Sequence, residues 1–398
     1  MCPVDRPAIE HGAVTIDGEH FAAVGAQPVD GDVIDLDSVA LLPGLVNAHT
    51  HLEFSHLSKP LGRPGMPLLD WIRLVIAERG GRMAEPSRAI AQGVAECLRH
   101  GTTTLGEIAG EGADAYSTVG PVDATLFAEV IGFSRARAAS AYEATTTRLD
   151  ELRGASPTAR VGISPHAPYT VSPDLLRRLI VLASERQLPV AMHLAESAEE
   201  LQLLRDGTGP FQELLDERSM WDATAIPRRS RPLDYLRTLA EAPRALVIHG
   251  NFLDPEEHVF LAAQRERMSL VYCPRTHTYF GHSSYPLAEL LSAGVRVALG
   301  TDSRASNPDL SLLAEMRHVA RAHPEIDPNE VLRMGTLAGA EALGSADEAG
   351  SITPGKLANL VAIPLAEDAG RLSSELLAAL LADDRGPSAA WLRGNVVV

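Results

Sequence analysis

Short apolar runs alternate with longer segments of helical periodicity from about residue 44 to residue 302. Each run is rich in apolar or β-branched residues and ends in polar ones. Alternating strands and helices predict a parallel sheet, and eight such units predict an α/β fold with a closed (β/α)8 barrel of the TIM type. The predicted strands are residues 45–49, 102–108, 124–133, 160–166, 189–196, 245–250, 270–276 and 295–302.

The two ends of the chain follow another pattern, in which short alternating stretches are broken by Gly and Asp turns. Residues 13–16 and 33–36 show it near the start, and residues 360–363 and 395–398 show it near the end. Both ends therefore predict one small β-sandwich domain, built from residues 1–43 and 346–398. The catalytic barrel then spans residues 44–345.

A long connection, residues 201–243, separates the fifth and sixth predicted strands and is rich in helix-forming residues. A long connection on the catalytic face of a barrel often covers the substrate, so one interpretation is a lid. A plain surface insertion is the other interpretation.

Composition and charge exclude several classes of function. The formal net charge is −17, and Lys and Arg form no stripe, which argues against a nucleic-acid surface. The first residues lack the features of a secretory signal, and no apolar run approaches the ~18 residues of a membrane span. Cys2, Cys97 and Cys273 are scattered, as is typical of a reducing compartment. We therefore expect a cytoplasmic protein without a membrane partner.

Residues suited to metal binding stand at the ends of the predicted strands. His49 and His51 are two positions apart on the first strand and share a face, while His193 and Asp302 stand near the ends of the fifth and eighth. The carboxyl ends of barrel strands converge on one face. Three imidazoles and a carboxylate suit Zn²⁺, with Fe²⁺ as the alternative. We predict one divalent ion here. The alternative is that these histidines are solvated or hydrogen-bonded and bind no metal.

Two further strand-end residues are candidates for proton transfer. Glu196 stands three positions after His193, where a carboxyl group can reach the metal's water without binding the metal. His249 ends the sixth strand and is expected to hydrogen-bond the attacking water, although a fifth metal ligand is an alternative. Asp302 is also expected to accept a proton during attack. A helix cap for Glu196 and a buried backbone contact for His249 are the structural alternatives.

The scarcity of lysine bears on the number of ions. The chain has 33 arginines but only Lys59 and Lys356 among the lysines. Two-metal barrels of this kind usually bridge their ions with a carboxylated lysine at the end of strand four, whereas this strand ends in ISPHAPYT. His166 takes that position and is expected to face the substrate. One ion is therefore the economical interpretation.

The segments PGLVNAHTHLE, HLAES, VIHG and LGTDS, in this order, resemble the amidohydrolase superfamily over nearly the whole chain. The closing GSITPGKLANLVAI is similar to that group's last motif, although Asn359 stands where an acidic residue is frequent. The H-x-x-E of His193 and Glu196 and the stretch SPHAPYTVS resemble its adenosine-type and S-adenosylhomocysteine-like deaminases. HLEFSHL, GMPLLDWI, CPRTHTYFGH and TDSRASNPDLSLLAEM are similar to aminodeoxyfutalosine deaminases of menaquinone biosynthesis.

The resemblance implies hydrolytic removal of the exocyclic amine from an adenine-type nucleoside, 6-amino-6-deoxyfutalosine above others. It also implies that His166 contacts the base. Other substrate-side candidates are Glu53 for ribose hydroxyls, Arg137 for a carboxylate or sugar, His277 at the cavity and Trp71 for base stacking. Solvated charges for Glu53 and Arg137 and a core role for Trp71 are the alternatives.

Two rival functions stay open at this point. One is another reaction of the same superfamily: guanine or other ring deamination, chloride displacement or cyclic amide hydrolysis. The other, from a different class, is a barrel kept as a scaffold without catalysis. The small-molecule substrate and water are the only partners we expect, and a homodimer is compatible with the sequence.

Overall fold

A computed structural model describes residues 1–25, 32–81, 85–110, 112–120, 122–365 and 373–398. It contains the predicted barrel and a smaller β unit from both chain ends. The strands are β1 (Ala13–Asp17), β2 (His20–Gly25), β3 (Val39–Pro43), β4 (Leu45–Thr50), β5 (Thr102–Ala109), β6 (Asp123–Val130), β7 (Arg160–Pro165), β8 (Pro189–Leu194), β9 (Arg244–His249), β10 (Met268–Tyr272), β11 (Val297–Leu299), β12 (Leu360–Pro364), β13 (Ala389–Leu392) and β14 (Asn395–Val396).

Helices follow the barrel strands, as the sequence pattern predicts. None of the described helices has both the length and the hydrophobicity needed to cross a bilayer. They are α1 (Leu68–Gly80), α2 (Pro86–Arg99), α3 (Arg135–Ala155), α4 (Pro173–Arg186), α5 (Ala198–Asp206), α6 (Pro210–Glu217), α7 (Pro232–Leu239), α8 (Pro255–Ala263), α9 (Pro274–Tyr279), α10 (Leu287–Ala293), α11 (Leu312–Ala322), α12 (Pro328–Met334), α13 (Leu337–Leu343) and α14 (Ser373–Ala382), with short 3-10 helices at Leu52–His56 and Ala113–Thr118.

The barrel strands β4 to β11 lie side by side in chain order, and every pair between them is parallel. The ring closes at its carboxyl edge through a parallel bridge between Thr50 and Asp302. The Asp302 N–H donates to the carbonyl of His49 at 3.1 Å, and the Thr50 hydroxyl donates to the carbonyl of Asp302 at 3.0 Å. Closure therefore fixes the backbone of two predicted metal ligands.

Small and branched side chains fill the interior of the barrel. One buried apolar cluster draws members from seven of the eight barrel strands, together with residues of α13. Such a packed interior leaves room for chemistry only above the strand ends. The members contributed by the strands are Val46, Ala48, Ile108, Phe127, Ala191, Leu246, Ile248, Val271 and Ala298.

The chain ends form two sheets that share an apolar core. Strands β1 and β2 make an antiparallel pair, while β3 joins β12, β13 and β14 in a second antiparallel sheet. Phe21, Leu41, Ile352, Leu360 and Trp391 are buried in the core of this unit. The predicted β unit from both termini is confirmed, and its boundaries with the barrel stay predictions.

The strand prediction is wrong in several details, and two of them have a clear physical reason. Residues 33–36 form no strand, and Val33 and Ile34 are 67% and 71% exposed, because no neighbouring strand pairs with them. The seventh barrel strand ends at Tyr272 rather than at residue 276, because Pro274 begins a helix at a position where its fixed φ and missing N–H are favourable.

Candidate active site

The carboxyl ends of the barrel strands bring the predicted metal ligands together. One ring nitrogen each of His49, His51 and His193 lies within 4.8 Å of the others, and all three side chains are buried. Asp302 completes the group, since its Oδ1 lies 3.7 Å from Nε2 of His49 and 3.7 Å from Nε2 of His51. Four donors at the ends of three strands thus surround one point.

The hydrogen bonding of these side chains fits a metal ion. Both ring nitrogens of His49 and Nδ1 of His51 are buried without a hydrogen-bond partner among the described residues. Nδ1 of His193 lies 2.9 Å from the carbonyl of His166, so it donates there and leaves Nε2 free as a ligand. Buried polar atoms are normally satisfied, and a bound cation satisfies these. The donor set of three imidazoles and a carboxylate matches a zinc or iron site.

The backbone of Asp302 is strained where the barrel closes. Its φ of +56° lies in the left-handed region, which a non-glycine residue adopts at a cost. The Oγ of Ser306 donates to Asp302 Oδ2 at 3.1 Å and fixes the carboxylate. Burial raises the pKa of Asp302, but the neighbouring His49, His51 and His249 outweigh burial and lower it. The carboxylate is therefore held ionised, as a metal ligand requires.

Glu196 lies just beyond β8, beside the metal-binding group. Ala195 turns the chain there with a φ of +53°, and the Glu200 carboxylate accepts hydrogen bonds from the N–H groups of Ala195 and Glu196 at 2.8 and 3.0 Å. Asn251 Nδ2 donates to the Glu196 carbonyl at 3.0 Å. The backbone of Glu196 is thus held from both sides.

The Glu196 side chain is only 8% exposed, and its Oε1 lies 3.5 Å from Nε2 of His249. Burial, followed by the nearby carboxylates of Asp302 and Glu200, raises the pKa of Glu196 well above its usual value. A carboxyl group whose pKa is raised holds its proton to higher pH and can donate it to a substrate. His249, whose φ is +68°, faces the same space.

A cavity of about 260 Å³ opens above these groups. His166 and Trp71 line it, as predicted from the sequence. Nδ1 of His166 lies 2.8 Å from the Thr170 hydroxyl, and burial lowers the pKa of His166 to about 3, so the ring is neutral. Trp71 donates from Nε1 to the Ala305 carbonyl at 2.9 Å while its ring forms part of the wall.

The structure places three other predicted substrate residues outside the cavity lining. Glu53 is buried behind Arg79, with which it forms an ion pair, so it does not reach the cavity. Arg137 is exposed in the first turn of α3. Both ring nitrogens of His277 are used inside the protein, by Asn251 Oδ1 at 3.1 Å and the Ser283 carbonyl at 2.7 Å.

Part of the 201–243 connection lies over the cavity. Helix α6 contributes Phe211, Leu214 and Leu215 to the wall opposite the metal-binding group, and Arg218 and Met220 follow them. The interpretation of residues 201–243 as a lid over the substrate is thus compatible with the position of α6. Phe211 stacks on Tyr169, with ring centroids 4.0 Å apart, so the covering helix packs directly on the segment after β7.

Sequence reasoning missed six polar residues of the lining: Arg79, Glu129, Tyr169, Thr170, Arg218 and Ser303. Glu129 was missed because the third barrel strand was predicted to end at residue 133, whereas β6 stops at Val130. With the correct end, the carboxylate stands at the catalytic edge, where a functional role is expected. Arg79 lies in α1 and Arg218 directly after α6, and the approach of these two segments to the cavity has no signature in the sequence.

Comparisons with known proteins agree with this geometry. Residues 40–397 match the model of the Amidohydrolase family. An aminodeoxyfutalosine deaminase from Deinococcus radiodurans is 30% identical over 354 residues, which are 84% of this chain and 81% of that protein. A 5-methylthioadenosine/S-adenosylhomocysteine deaminase from Nitratidesulfovibrio vulgaris is 30% identical over 362 residues, 85% of this chain and 76% of the relative.

A solved structure extends the likeness to three dimensions. An adenosine deaminase from Xanthomonas campestris with bound zinc superposes with a TM-score of 0.79 at 27% identity, over 99% of this chain and 90% of that one. The match therefore includes both the barrel and the small β unit. All three proteins are named as deaminases.

Proposed function

This chain belongs to the amidohydrolase family and is a hydrolytic enzyme, and from that premise we propose that it deaminates an adenine-type nucleoside, 6-amino-6-deoxyfutalosine, with one divalent metal ion. The observation that carries the proposal is the buried carboxyl group of Glu196 beside the metal-binding group at one end of a cavity. Proton donor and ligands thus face the same small space. Turnover of this substrate would place the enzyme in menaquinone biosynthesis, in the cytoplasm.

His49, His51, His193 and Asp302 are the residues that would hold the ion, zinc in our proposal and iron as the alternative. When bound, such an ion lowers the pKa of a water molecule to about 7 and makes a nucleophile available at neutral pH. A single ion suffices, because β7 ends at Pro165, His166 follows it, and neither residue is a lysine that could bridge a second ion.

The side chains around that point would then move the protons. Glu196 donates its proton to the ring nitrogen next to the amine-bearing carbon while the oxygen of water bonds to that carbon and Asp302 takes one of the two protons of the water. The Glu196 carboxylate next takes the remaining proton from the attached oxygen and delivers it to the amine, whose bond to carbon breaks to release ammonia. The proton on Asp302 then returns to Glu196. His249 and Asp302 hydrogen-bond the attached oxygen, where charge develops.

The far wall of the cavity favours a substrate with an apolar group ending in an anion. Leu68, Ile72 and Val75 of α1 and Phe211 and Leu214 of α6 together give the cavity an apolar lining. Arg218 lines the same cavity and forms no ion pair within the described ranges, whereas Arg79 is paired with two carboxylates. The aromatic carboxylate on the 5′ side of 6-amino-6-deoxyfutalosine matches this combination.

Deamination of 5′-methylthioadenosine or S-adenosylhomocysteine is the second candidate, which the Nitratidesulfovibrio vulgaris relative favours. The apolar wall also suits a methylthio group. The homocysteine tail, however, carries an ammonium group as well as a carboxylate, so the cation Arg218 suits only one of its two charges. Because of Arg218, we therefore rank 6-amino-6-deoxyfutalosine above 5′-methylthioadenosine and S-adenosylhomocysteine.

Ammonia release from a matched panel tests the proposal: adenosine, 5′-methylthioadenosine, S-adenosylhomocysteine, 6-amino-6-deoxyfutalosine and guanine, each with zinc-loaded protein. We expect the highest kcat/KM for 6-amino-6-deoxyfutalosine. A higher value for 5′-methylthioadenosine would transfer the assignment to the second candidate. Absence of ammonia from every adenine nucleoside would overturn deamination of this class, and a protein that binds no transition metal would support the scaffold alternative.

A further inference from the structure

One carboxylate oxygen of Glu129 has no hydrogen-bond donor among the residues that the structure describes. The residue lies one position before the end of β6 and lines the cavity, and its side chain is only 8% exposed. Its Oε2 faces Nη1 of Arg79 at 3.5 Å, but Oε1 is buried and accepts no hydrogen bond from the described residues. Leaving a buried charged acceptor without a donor is unfavourable. A donor supplied by a ligand would remove that cost.

The surroundings hold this carboxylate in place. Arg79 lies between Glu53 and Glu129 and pairs with both. The Cα of Gly110 packs so closely that a Cβ there would lie 3.3 Å from both Arg79 Nη2 and Glu129 Oε2. The unsatisfied oxygen is therefore held in a fixed position on a residue that lines the cavity, as a binding group is.

The side chain of His166 does not supply the missing donor. Nε2 of His166 lies 4.0 Å from Glu129 Oε1, beyond hydrogen-bond distance. The imidazole of His166 also packs 5.0 Å, centroid to centroid, from the ring of His193. His166 thus lies between the metal-binding group and Glu129, and Glu129 faces the part of a bound molecule that is remote from the reacting carbon.

The chemistry of an adenine nucleoside identifies the group that meets Glu129; this step rests on the proposed function. With the amine-bearing carbon at the metal-binding group, the exocyclic amine is not available to Glu129. The remaining ring nitrogens are acceptors or carry the sugar, so they offer no N–H. The hydroxyl groups of the ribose are the strong donors left on that side of the molecule.

We propose that Glu129 is a substrate-positioning residue whose Oε1 accepts a hydrogen bond from a ribose hydroxyl, so that the enzyme selects ribonucleosides. Since Oε2 faces Arg79, a single hydroxyl occupies Oε1. The enzyme consequently discriminates strongly against one of the two monodeoxy nucleosides and weakly against the other.

A thermodynamic cycle tests this contact. Steady-state ammonia release is measured for adenosine, 2′-deoxyadenosine and 3′-deoxyadenosine with the wild-type protein, Glu129→Ala and Glu129→Gln, all zinc-loaded. A hydrogen bond to a charged group corresponds to ~10- to 100-fold in kcat/KM. We expect the wild-type protein to prefer adenosine over one deoxy analogue by that factor. Glu129→Ala should lose the same factor on adenosine and almost nothing on that analogue.

Two controls separate positioning from loss of structure. Glu129→Gln keeps a carbonyl acceptor and should restore part of the preference. Glu341→Ala removes another arginine-paired carboxylate, which lies outside the cavity lining, and should leave the preference unchanged. The preference is a ratio of two substrates on one protein, so a partly unfolded variant does not alter it.

Two results would overturn the contact: no wild-type discrimination against either deoxy nucleoside, or an equal loss on all three substrates in Glu129→Ala. Both differ from failure of the proposed function itself, in which the wild-type protein releases ammonia from none of the nucleosides. That last result would overturn both proposals together.

Discussion

The two sides of the cavity are built in different ways. The reaction side consists of strand ends, where His49, His193 and Asp302 are buried and tied to the barrel by backbone hydrogen bonds. The opposite wall consists of helices α1 and α6, which present apolar side chains, and of Arg218 directly after α6, a cation that pairs with none of the described carboxylates. The first side contains groups that break bonds, and the second contains groups that recognise shape and charge. Chemistry and selectivity therefore lie on separate parts of the scaffold.

The two sides also differ in how firmly they are held. On the reaction side Asn47 donates to the Thr301 hydroxyl at 2.8 Å and accepts from the Thr301 N–H at 3.1 Å, entirely within the core. On the opposite wall the polar link between α1 and α6 is the surface ion pair of Arg73 and Glu217, at 2.8 Å and well exposed. Such exposed pairs contribute at most ~1 kcal/mol. The selectivity wall can therefore change without disturbing the reacting groups.

The largest effect should follow from removing the proton donor. Glu196→Gln keeps the shape of the side chain but cannot exchange a proton, so kcat should fall by ~10²- to 10⁴-fold while the bound metal is unchanged. Ammonia release and metal analysis on the same sample measure both quantities. Glu199→Gln, three residues along, is the matched control and should retain activity. Substantial turnover by Glu196→Gln would contradict the assignment of chemistry to this side.

A second test on the reaction side is pH-dependent stability. Burial raises the pKa of Glu200 to about 7, although the N–H groups of Glu196 and Ala195 lower it in part. A raised carboxyl pKa in the folded state stabilises the protein below the unfolded value of 4.5. That stability is lost as pH rises towards 7, and it amounts to at most ~3 kcal/mol.

Urea unfolding at pH 5 and pH 8 measures this loss of stability, with Glu200→Gln as the reference that lacks the titrating group. The wild-type protein should lose free energy of unfolding relative to the variant as pH rises, because other ionisable groups cancel in the comparison. Parallel pH profiles for the two proteins would show that Glu200 is ionised throughout, and that burial does not dominate its titration.

The sequence predicts the reaction side better than the opposite wall for a physical reason. Barrel strands are buried on both faces and therefore appear as apolar runs, and a residue at the end of such a run must lie at the catalytic edge. His49, His193, Glu196 and Asp302 follow from that rule alone. Glu129 obeys the same rule, but β6 ends three residues earlier than its apolar pattern indicates.

The other positions depend on directions that periodicity does not encode. Glu53 directly follows the His49–His51 pair, but the 3-10 helix Leu52–His56 turns its side chain into the core towards Arg79. His277 lies on a helix that begins at Pro274 and directs the ring towards Asn251. The path of α6 is set by packing between distant segments, such as Phe211 on Tyr169. Short-range patterns in the sequence do not indicate such contacts.

A smaller effect on the reaction side should come from the support of the carboxylate ligand. Ser306→Ala removes the hydrogen bond to Asp302 Oδ2, and loss of such a supporting contact typically lowers metal affinity ~10- to 100-fold. Competition with a chelator measures the affinity. Thr276→Val, which removes only the 2.9 Å contact to the Ser306 hydroxyl, should have a weaker effect in the same direction. Equal affinities in all three proteins would show that closure of the barrel alone orients Asp302.

The smallest effect should be confined to the selectivity wall. Arg218→Ala removes a cavity-lining cation that has no carboxylate partner in the described part of the chain, so KM for 6-amino-6-deoxyfutalosine should rise ~10-fold, the equivalent of ~1.4 kcal/mol, with kcat unchanged. KM for 5′-methylthioadenosine, which has no carboxylate, should not change. Arg228→Ala, an exposed arginine in the same connection, is the matched control. A fall in kcat, or an equal rise in KM for both substrates, would show that the wall supports the chemistry as well as selecting the substrate.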